Sequence, residues 1–297
     1  MPPRRFLLAL LLGLTPSHQL RAQPTLAQLQ AAAANGEAEN QYQLASAYDR
    51  GESTKSDFDQ ALALYRKAAE QGHAKAQNSL GVMYAQGRGV PKDDKEALKW
   101  FRCAAELGLP RAQANLASLL NRGVGESQDI PQAILWYQRA AEQGDVIAQA
   151  ELGRLLFVGN EAFASDPKKA LPWVQTAAEK GNPVAQNTLG VMHDGGRGVP
   201  MSMKLAAYWY RQAAEQGSAT AQGNLGRALF QGGPDLPPDR VEGYAWLLIS
   251  AERGDSIANN FLAQQTGSLT PEQIDEAKTR AAHYRQSLPA MPAASQK

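Results

Sequence analysis

The sequence contains a single cysteine, Cys103, in 297 residues. One cysteine cannot form a disulfide within the chain, so packing and hydrogen bonds have to hold the fold. An unpaired thiol can be redox-active, but reactive thiols need an electropositive surrounding. We expect a passive, half-buried side chain.

The sequence also lacks an excess of either positive or negative charge. The chain has 30 Lys and Arg against 29 Asp and Glu, a net charge of +1, and no Lys/Arg-rich run follows residue 5. Nucleic-acid binders carry a basic patch or stripe, so we expect no nucleic-acid partner. The four histidines form no His-Glu-x-x-His motif, and neither Cys-x-x-Cys nor a phosphate-binding glycine loop is present. We therefore expect no catalytic residues, no metal and no other cofactor.

Long hydrophobic runs are absent except for a short one at the N-terminus. The apolar residues 6–14 are far fewer than the ~20 that a membrane-spanning helix needs. Arg4 and Arg5 precede this run and the small residue Ala22 follows it, which is typical of a secretory signal peptide. We predict a signal peptide over 1–22, with a membrane anchor as the alternative. No cysteine follows at a lipoprotein position, so we expect a bacterial, periplasmic or secreted protein without stable membrane insertion of the mature chain.

The chain does contain a phrase, Ala-Ala-Glu-Gln-Gly, that returns with variations every 36 or 37 residues. Its copies end at Gly72, Gly108, Gly144, Gly181, Gly217 and Gly254. A fixed period of this size is typical of a solenoid of stacked helix pairs. We predict six units, over 37–72, 73–108, 109–144, 145–181, 182–217 and 218–254. The sequence further predicts a capping helix over 23–36, a degenerate repeat with a C-terminal capping helix over 255–287, and a disordered tail over 288–297.

Each unit has the same internal plan of two helices. Apolar and small residues recur on one face of the first helix, and a glycine that can adopt the left-handed conformation follows its last turn. These glycines are Gly51, Gly87, Gly123, Gly159, Gly196 and Gly232. In the fourth unit we expect Pro172 to kink or shorten the second helix.

The five tryptophans share one position in the second helix. They are Trp100, Trp136, Trp173, Trp209 and Trp246. We expect each indole to pack into the neighbouring helix pair, because a repeat cannot bury its hydrophobic face alone; a ladder for stacking a ligand is the alternative. Glutamates recur at 70, 106, 142, 179 and 215, and equal positions in a repeat give equal surroundings rather than the unequal pKa values of an acid–base pair. We expect them to form polar bridges between units.

The unit Ala-x-Ala-Gln-x-x-Leu-Gly-x-x-Tyr…Gly-x-Gly-Val…Ala-Leu-x-Trp-Tyr-x-x-Ala-Ala-Glu-x-Gly resembles the Sel-1-like repeat, a relative of the tetratricopeptide repeat. The resemblance covers residues 36–285 and is best over 74–108 and 183–217. It implies an all-α, right-handed solenoid superhelix of antiparallel helix pairs with the first helices on the concave side. Members typically act as adaptors between proteins, and exported bacterial members often act in the cell envelope.

Some cysteine-rich relatives are associated with penicillin binding and β-lactamase-like activity. They carry paired cysteines in each unit, whereas this chain has Cys103 alone. The alternative function, binding or hydrolysis of peptidoglycan or β-lactam compounds, therefore has little support in the sequence. A cytosolic scaffold with a frayed leader is a third hypothesis.

A partner should contact positions that the repeat does not fix. On the first helices these positions carry small and amide residues, such as Asn78 and Asn187, and an Arg/Phe pair in the fourth and sixth units. Arginine and aromatic residues are enriched at the centres of protein interfaces. We therefore predict partner contacts at Arg154, Phe157, Arg227, Phe230, Asn78 and Asn187. The alternative for the two phenylalanines is that they seal the ends of their helices. The sequence thus predicts a monomeric, exported, non-catalytic adaptor for a protein or peptide.

Overall fold

The structure is a computed structural model that describes residues 24–51, 57–160, 163–265 and 267–289. The predicted signal peptide and residues 290–297 of the predicted tail lie outside the described residues. Fifteen α-helices lie in the described ranges: α1 (Leu26–Ala33), α2 (Ala38–Arg50), α3 (Phe58–Glu70), α4 (Ala74–Gln86), α5 (Asp94–Glu106), α6 (Pro110–Arg122), α7 (Ile130–Glu142), α8 (Val146–Val158), α9 (Pro167–Glu179), α10 (Pro183–Gly195), α11 (Met203–Glu215), α12 (Ala219–Gln231), α13 (Arg240–Glu252), α14 (Ser256–Gln264) and α15 (Pro271–Ser287).

The helices from α2 to α13 pack as consecutive pairs. Each even-numbered first helix packs against the odd-numbered second helix that follows it, and each second helix packs against the first helix of the next unit. This arrangement is the tandem α-solenoid that the sequence predicts. Short α1 packs on α2 at the N-terminal end.

The second helices begin at a side-chain cap that the sequence supplies in every unit. Five aspartates and one serine accept a hydrogen bond from a backbone N–H in the first turn; they are Asp57, Asp93, Asp129, Asp166, Ser202 and Asp239. The repeated glycine ends the same helix. Gly72, for example, has φ +82°, and a Cβ there would meet no atom within 4 Å. Glycine is required here for its backbone conformation, not for space.

The glycines that follow the first helices fall into two groups. Four of them, after α2, α4, α6 and α10, adopt the left-handed conformation that the sequence predicts. Gly159 and Gly232 instead combine φ +69° with an extended ψ, and an isolated β-bridge follows each of them. The fourth and sixth units therefore share a loop that differs from the others.

Pro172 does not shorten its helix, so that part of the prediction was wrong. Helix α9 has 13 residues, as α7 and α11 do. Proline at this position removes only the hydrogen bond that would run to the carbonyl of Lys168 in the exposed first turn. The carbonyl of Pro172 also accepts a 2.8 Å hydrogen bond from Thr176 Oγ1.

The seam between a second helix and its two neighbouring first helices is filled by the residue after the tryptophan position, which Leu64 occupies in the first unit. The six residues at this position are all buried: Tyr65, Phe101, Tyr137, Val174, Tyr210 and Leu247. Four of the indoles are half-buried at the edges of the core clusters, and Trp246 is buried. The tryptophans thus lie over the seam, while the residues that follow them in the sequence fill it.

Helix α15 leaves the repeat pattern and packs on α13. The ring of Tyr284 stacks on that of Trp246, with centroids 4.8 Å apart and 12° between the planes. Arg285 forms an ion pair with Glu252, and Arg253 donates to the carbonyl of Pro289. The C-terminal helix therefore covers the second helix of the sixth unit.

Candidate partner-binding face

The first helices form one face of the solenoid, which we call the inner face. It consists of the exposed sides of α2, α4, α6, α8, α10, α12 and α14. First helices of adjacent units approach each other directly, as α8 and α10 do and as α12 and α14 do. Such approach is expected on the inner side of a curved array, and solenoids use this side as an extended binding surface.

Two asparagine pairs link first helices across the inner face. Asn115 Nδ2 donates to Asn78 Oδ1 at 2.9 Å, and Asn224 Nδ2 donates to Asn187 Oδ1 at 3.0 Å. All four side chains are half-buried. Each amide keeps further donors and acceptors for a ligand, so Asn78 and Asn187 remain predicted contacts that are already oriented by a neighbour.

Arg154 and Arg227 occupy equivalent positions two units apart, and both are partly exposed. Arg154 Nε lies 2.9 Å from Glu151 Oε2 on its own helix, with 36% of the arginine side chain exposed. Arg227 is 34% exposed and forms an ion pair with Asp194 on the preceding first helix. Both guanidinium groups are therefore held in place at the surface by a carboxylate.

A buried tyrosine lies behind each of these two ion pairs. Tyr210 donates from its hydroxyl to Asp194 Oδ2 at 3.2 Å, and burial, followed by the charge of Asp194, raises the pKa of Tyr210. Burial likewise raises the pKa of Tyr137 to about 12, with Glu151 adding to the effect. The carboxylate of Asp194 is thus placed between a buried phenol and a surface arginine.

A third cluster of this kind lies two units towards the N-terminus. Burial, together with the charge of Asp49, raises the pKa of Tyr65 to about 12, and Arg88 Nη1 lies 2.8 Å from Asp49 Oδ1. In the first, third and fifth seams, a carboxylate that pairs with an arginine therefore adds to the raised pKa of a buried tyrosine. The sequence shows this period as Tyr65, Tyr137 and Tyr210, a pattern that our sequence analysis missed.

Phe157 and Phe230 are both buried. The guanidinium of Arg197 lies 4.2 Å from the ring centroid of Phe157, and the ring of Phe230 meets that of Phe261 edge to face at 5.5 Å. Both positions agree with the alternative prediction, in which the phenylalanines seal the ends of their helices. Their place next to the unusual loops of the fourth and sixth units explains why the pair occurs in those units.

The first helices are also tied to the second helices by a buried row of glutamines. In five units the glutamine Nε2 donates across the turn to an alanine carbonyl of the preceding second helix; the donors are Gln77, Gln113, Gln149, Gln186 and Gln222. Oε1 of Gln41, Gln113 and Gln186 accepts from the glutamine thirty residues later, Gln71, Gln143 and Gln216.

The predicted glutamate bridges between units were wrong. Glu142 and Glu179 accept hydrogen bonds from Gln138 and Gln175, four residues earlier on their own helices. Both glutamates lie on the exposed side of the last turn. Glu142 is followed directly by Gln143, which is the residue that donates to Gln113. Within the described ranges, no three His, Cys, Asp or Glu side chains lie close enough together to hold a metal ion.

The remaining candidate side chains have structural surroundings. His73 accepts from the backbone N–H of Ala76 and contacts Glu39, which lowers the pKa of Glu39. His193 contacts the carbonyl of Pro200, and Cys103 is half-buried. None of the helices in the described part of the chain has the length and hydropathy needed to cross a bilayer.

Comparison with known families identifies the repeat. The Sel1 repeat model matches six consecutive segments, over 38–73, 74–109, 110–145, 146–182, 183–218 and 219–255. The chain belongs to the Sel1-repeat family. Sel1-repeat proteins generally mediate protein–protein interactions, and they are typically non-catalytic scaffolds.

Two solved Sel1-repeat structures are similar along most of this chain. One is c5321, a protective antigen present in uropathogenic Escherichia coli strains, with 33% identity over 92% of this chain and a TM-score of 0.80. This chain spans 60% of the length of that protein. The other is a Sel1 repeat protein from Oxalobacter formigenes, with 33% identity, 76% of this chain and 89% of that chain covered, and a TM-score of 0.68. No protein with a curated description is similar enough to be matched.

Proposed function

We propose that this Sel1-repeat protein is an exported, monomeric adaptor that holds a protein or peptide partner of the bacterial envelope on its inner face. The observation that carries the proposal is the set of polar side chains that is fixed on this face before any partner arrives. Arg154 and Arg227 are each held by a carboxylate, and Asn78 and Asn187 are each held by another amide. Preorganised side chains lose little conformational entropy on binding, which favours affinity.

Export is supported by the N-terminal sequence, in which two arginines, a short apolar run and a small residue follow one another. The Escherichia coli relative is a protective antigen, which agrees with a location outside the cytoplasm. Cell fractionation followed by N-terminal sequencing tests this part. We expect the protein in the periplasm or medium with Gln23 as its first residue, and recovery from the cytoplasm with residue 1 or 2 first would contradict export.

The use of the inner face is tested by affinity capture from an envelope extract after crosslinking. We expect the double variant Arg154→Ala/Arg227→Ala to recover clearly less partner than the wild type. A matched control is Arg102→Ala/Arg211→Ala, because these arginines lie on second helices and also form ion pairs with glutamates. If both double variants recover as much partner as the wild type, the partner does not bind at this face.

A further inference from the structure

The chemistry of the inner face changes halfway along the solenoid. The second residue of each first helix forms a row across the units, and from the N-terminal end this row reads Glu39, Lys75, Arg111, Ile147, Val184, Thr220 and Ile257. Charged side chains occupy the first three places, and aliphatic side chains occupy three of the remaining four. The change falls between α6 and α8.

Within the N-terminal half of this face, helices α4 and α6 carry only positive charge, whereas α2 also carries the acidic residues Glu39 and Asp49. Helices α4 and α6 contain three cations, Lys75, Arg111 and Arg122, and no acidic residue, and all three side chains are exposed. Arg111 lies 3.7 Å from a carboxylate oxygen of Asp145. Among the described residues, no carboxylate lies within ion-pair distance of Lys75 or Arg122. Lys75 and Arg122 are therefore available to an acidic ligand.

The C-terminal half exposes aliphatic side chains at the matching positions. Ile147 and Val158 on α8 stand where α6 has Arg111 and Arg122, and they are 44% and 58% exposed. Val184 on α10 and Ile257 on α14 extend the row and are 37% and 72% exposed. Isolated exposed aliphatic residues are ordinary on a protein surface, but an aligned set on one face indicates an interaction site.

We propose that the inner face binds an extended peptide segment of the partner in which a stretch of acidic residues adjoins a stretch of aliphatic residues. The acidic stretch would lie over α4 and α6, and the aliphatic stretch over α8 and α10. This inference rests on the proposed function, which names the face but not the chemistry that it recognises. Charge complementarity orients the peptide, and burial of aliphatic side chains on both partners supplies affinity.

The spacing of the helices sets the length of this segment. Packed helices lie about 8–10 Å apart, and an extended chain advances about 3.3 Å per residue. One unit of the solenoid therefore matches about three peptide residues, and four units match about twelve. The two asparagine pairs offer their free amide groups to the peptide backbone on both halves of the face.

Fluorescence anisotropy with labelled peptides of about twelve residues tests the proposal. The probe has an acidic half of Glu and Ser and an aliphatic half of Leu, Val and Ser. Two comparison peptides replace Glu by Lys or replace Leu and Val by Ser. We expect each replacement to weaken binding to the purified protein by roughly tenfold or more, and added salt to weaken the binding of the acidic probe. Equal binding of the Lys peptide, or no binding of the acidic–aliphatic probe, would overturn the proposal.

Protein variants assign the two halves. A further peptide, in which Ser replaces the Glu residues of the acidic half, serves as the neutral comparison. Lys75→Gln/Arg122→Gln should weaken binding of the acidic–aliphatic probe without changing the binding of this neutral peptide. Ile147→Asn/Val158→Asn should weaken the binding of both peptides. The control Lys95→Gln/Lys168→Gln removes two exposed cations from the second helices α5 and α9 and should change neither. Losses of the same size with the control would place the binding elsewhere.

The two proposals fail in different ways. In one case, the variant Arg154→Ala/Arg227→Ala recovers less crosslinked partner than the wild type, but the acidic–aliphatic peptide does not bind. The inner face is then the binding site, but it recognises a different kind of ligand. If partner recovery is unaffected by those substitutions while the peptide binds as described, the peptide chemistry is right and the adaptor function in this form is wrong.

Discussion

A Cβ atom on Gly190 would lie 2.5 Å from Cδ1 of Tyr210. The same contact recurs between Gly81 and Phe101 at 2.8 Å, and between Gly226 and Leu247 at 2.7 Å. Glycine in the middle of a first helix therefore makes room for the large residue of the second helix. This close approach explains why a residue that weakens an isolated helix recurs there.

We expect Gly190→Ala to lower the free energy of unfolding by about 1–3 kcal/mol, because the ring of Tyr210 has no free space to move into. Urea denaturation followed by circular dichroism measures the change. Gly195→Ala is the matched control, since a Cβ there would meet only the Arg197 side chain at 3.6 Å. If both substitutions leave stability unchanged, the seam is looser than the structure indicates.

The set of glutamines that donate to the buried row is interrupted at Leu107, which stands where Gln71 and Gln143 stand in their units. As a result, Gln77 Oε1 is buried with no hydrogen-bond partner among the described residues. We expect Leu107→Gln to supply the missing donor and to raise the free energy of unfolding by about 1 kcal/mol. Chemical denaturation measures this.

Leu107→Ala separates the hydrogen bond from the removal of an exposed leucine. Both substitutions remove the exposed apolar side chain, but only the glutamine can donate to Gln77. Stabilisation of equal size by alanine and glutamine would show that the new amide does not reach Gln77 Oε1.

The buried phenols predict a loss of stability in alkali. Burial raises the pKa of Tyr137 to about 12, against about 10 for an exposed tyrosine. Below pH 10 both the folded and the unfolded chain keep this proton, so the stabilisation is complete. Between pH 10 and pH 12 only the unfolded chain loses it, and the free energy of unfolding should fall by about 1.4 kcal/mol per pH unit for this tyrosine.

Tyr137→Phe should reduce that fall, and Phe101 shows that phenylalanine fits at the equivalent position. Free energies of unfolding at pH 9 and pH 11 test this. Tyr208→Phe is the control, since Tyr208 is exposed and should not affect the pH dependence. An unchanged pH dependence in the Tyr137 variant would mean that its phenol ionises as in the unfolded chain.

The period of Gly72 and its copies was sufficient to predict the helix pairs, because a helix end that needs a positive φ is a local property of the sequence. The seam was harder to predict. Trp100 and Phe101 are adjacent and differ by about 100° around the helix, so the crossing angle of the helices decides which of them is buried. That angle depends on contacts with the next unit and cannot be derived from one unit alone.

The candidate site was predicted in part for the same reason. Arg154 and Phe157 are one turn apart, and spacing alone placed both of them on the inner face. Arg197, which is forty residues further along the chain, covers Phe157, while Arg154 stays at the surface. The partner of Gln71 lies thirty residues away on another helix, and no local pattern in the sequence indicates such a distant hydrogen bond.

The stacked rings of Trp246 and Tyr284 close the C-terminal end of the solenoid. Removal of the phenol ring by Tyr284→Ala would expose the indole and leave a gap beside Ala277 and Ala281, which pack in the same cluster. We expect the free energy of unfolding to fall by about 2 kcal/mol and the fluorescence emission to shift to longer wavelength. Tyr284→Phe keeps the ring and should preserve both properties, because stacking needs the aromatic face rather than the hydroxyl. If the Phe variant is as unstable as the Ala variant, the stabilisation comes from the hydroxyl group and its surroundings, which include Glu242, and not from the stacked ring.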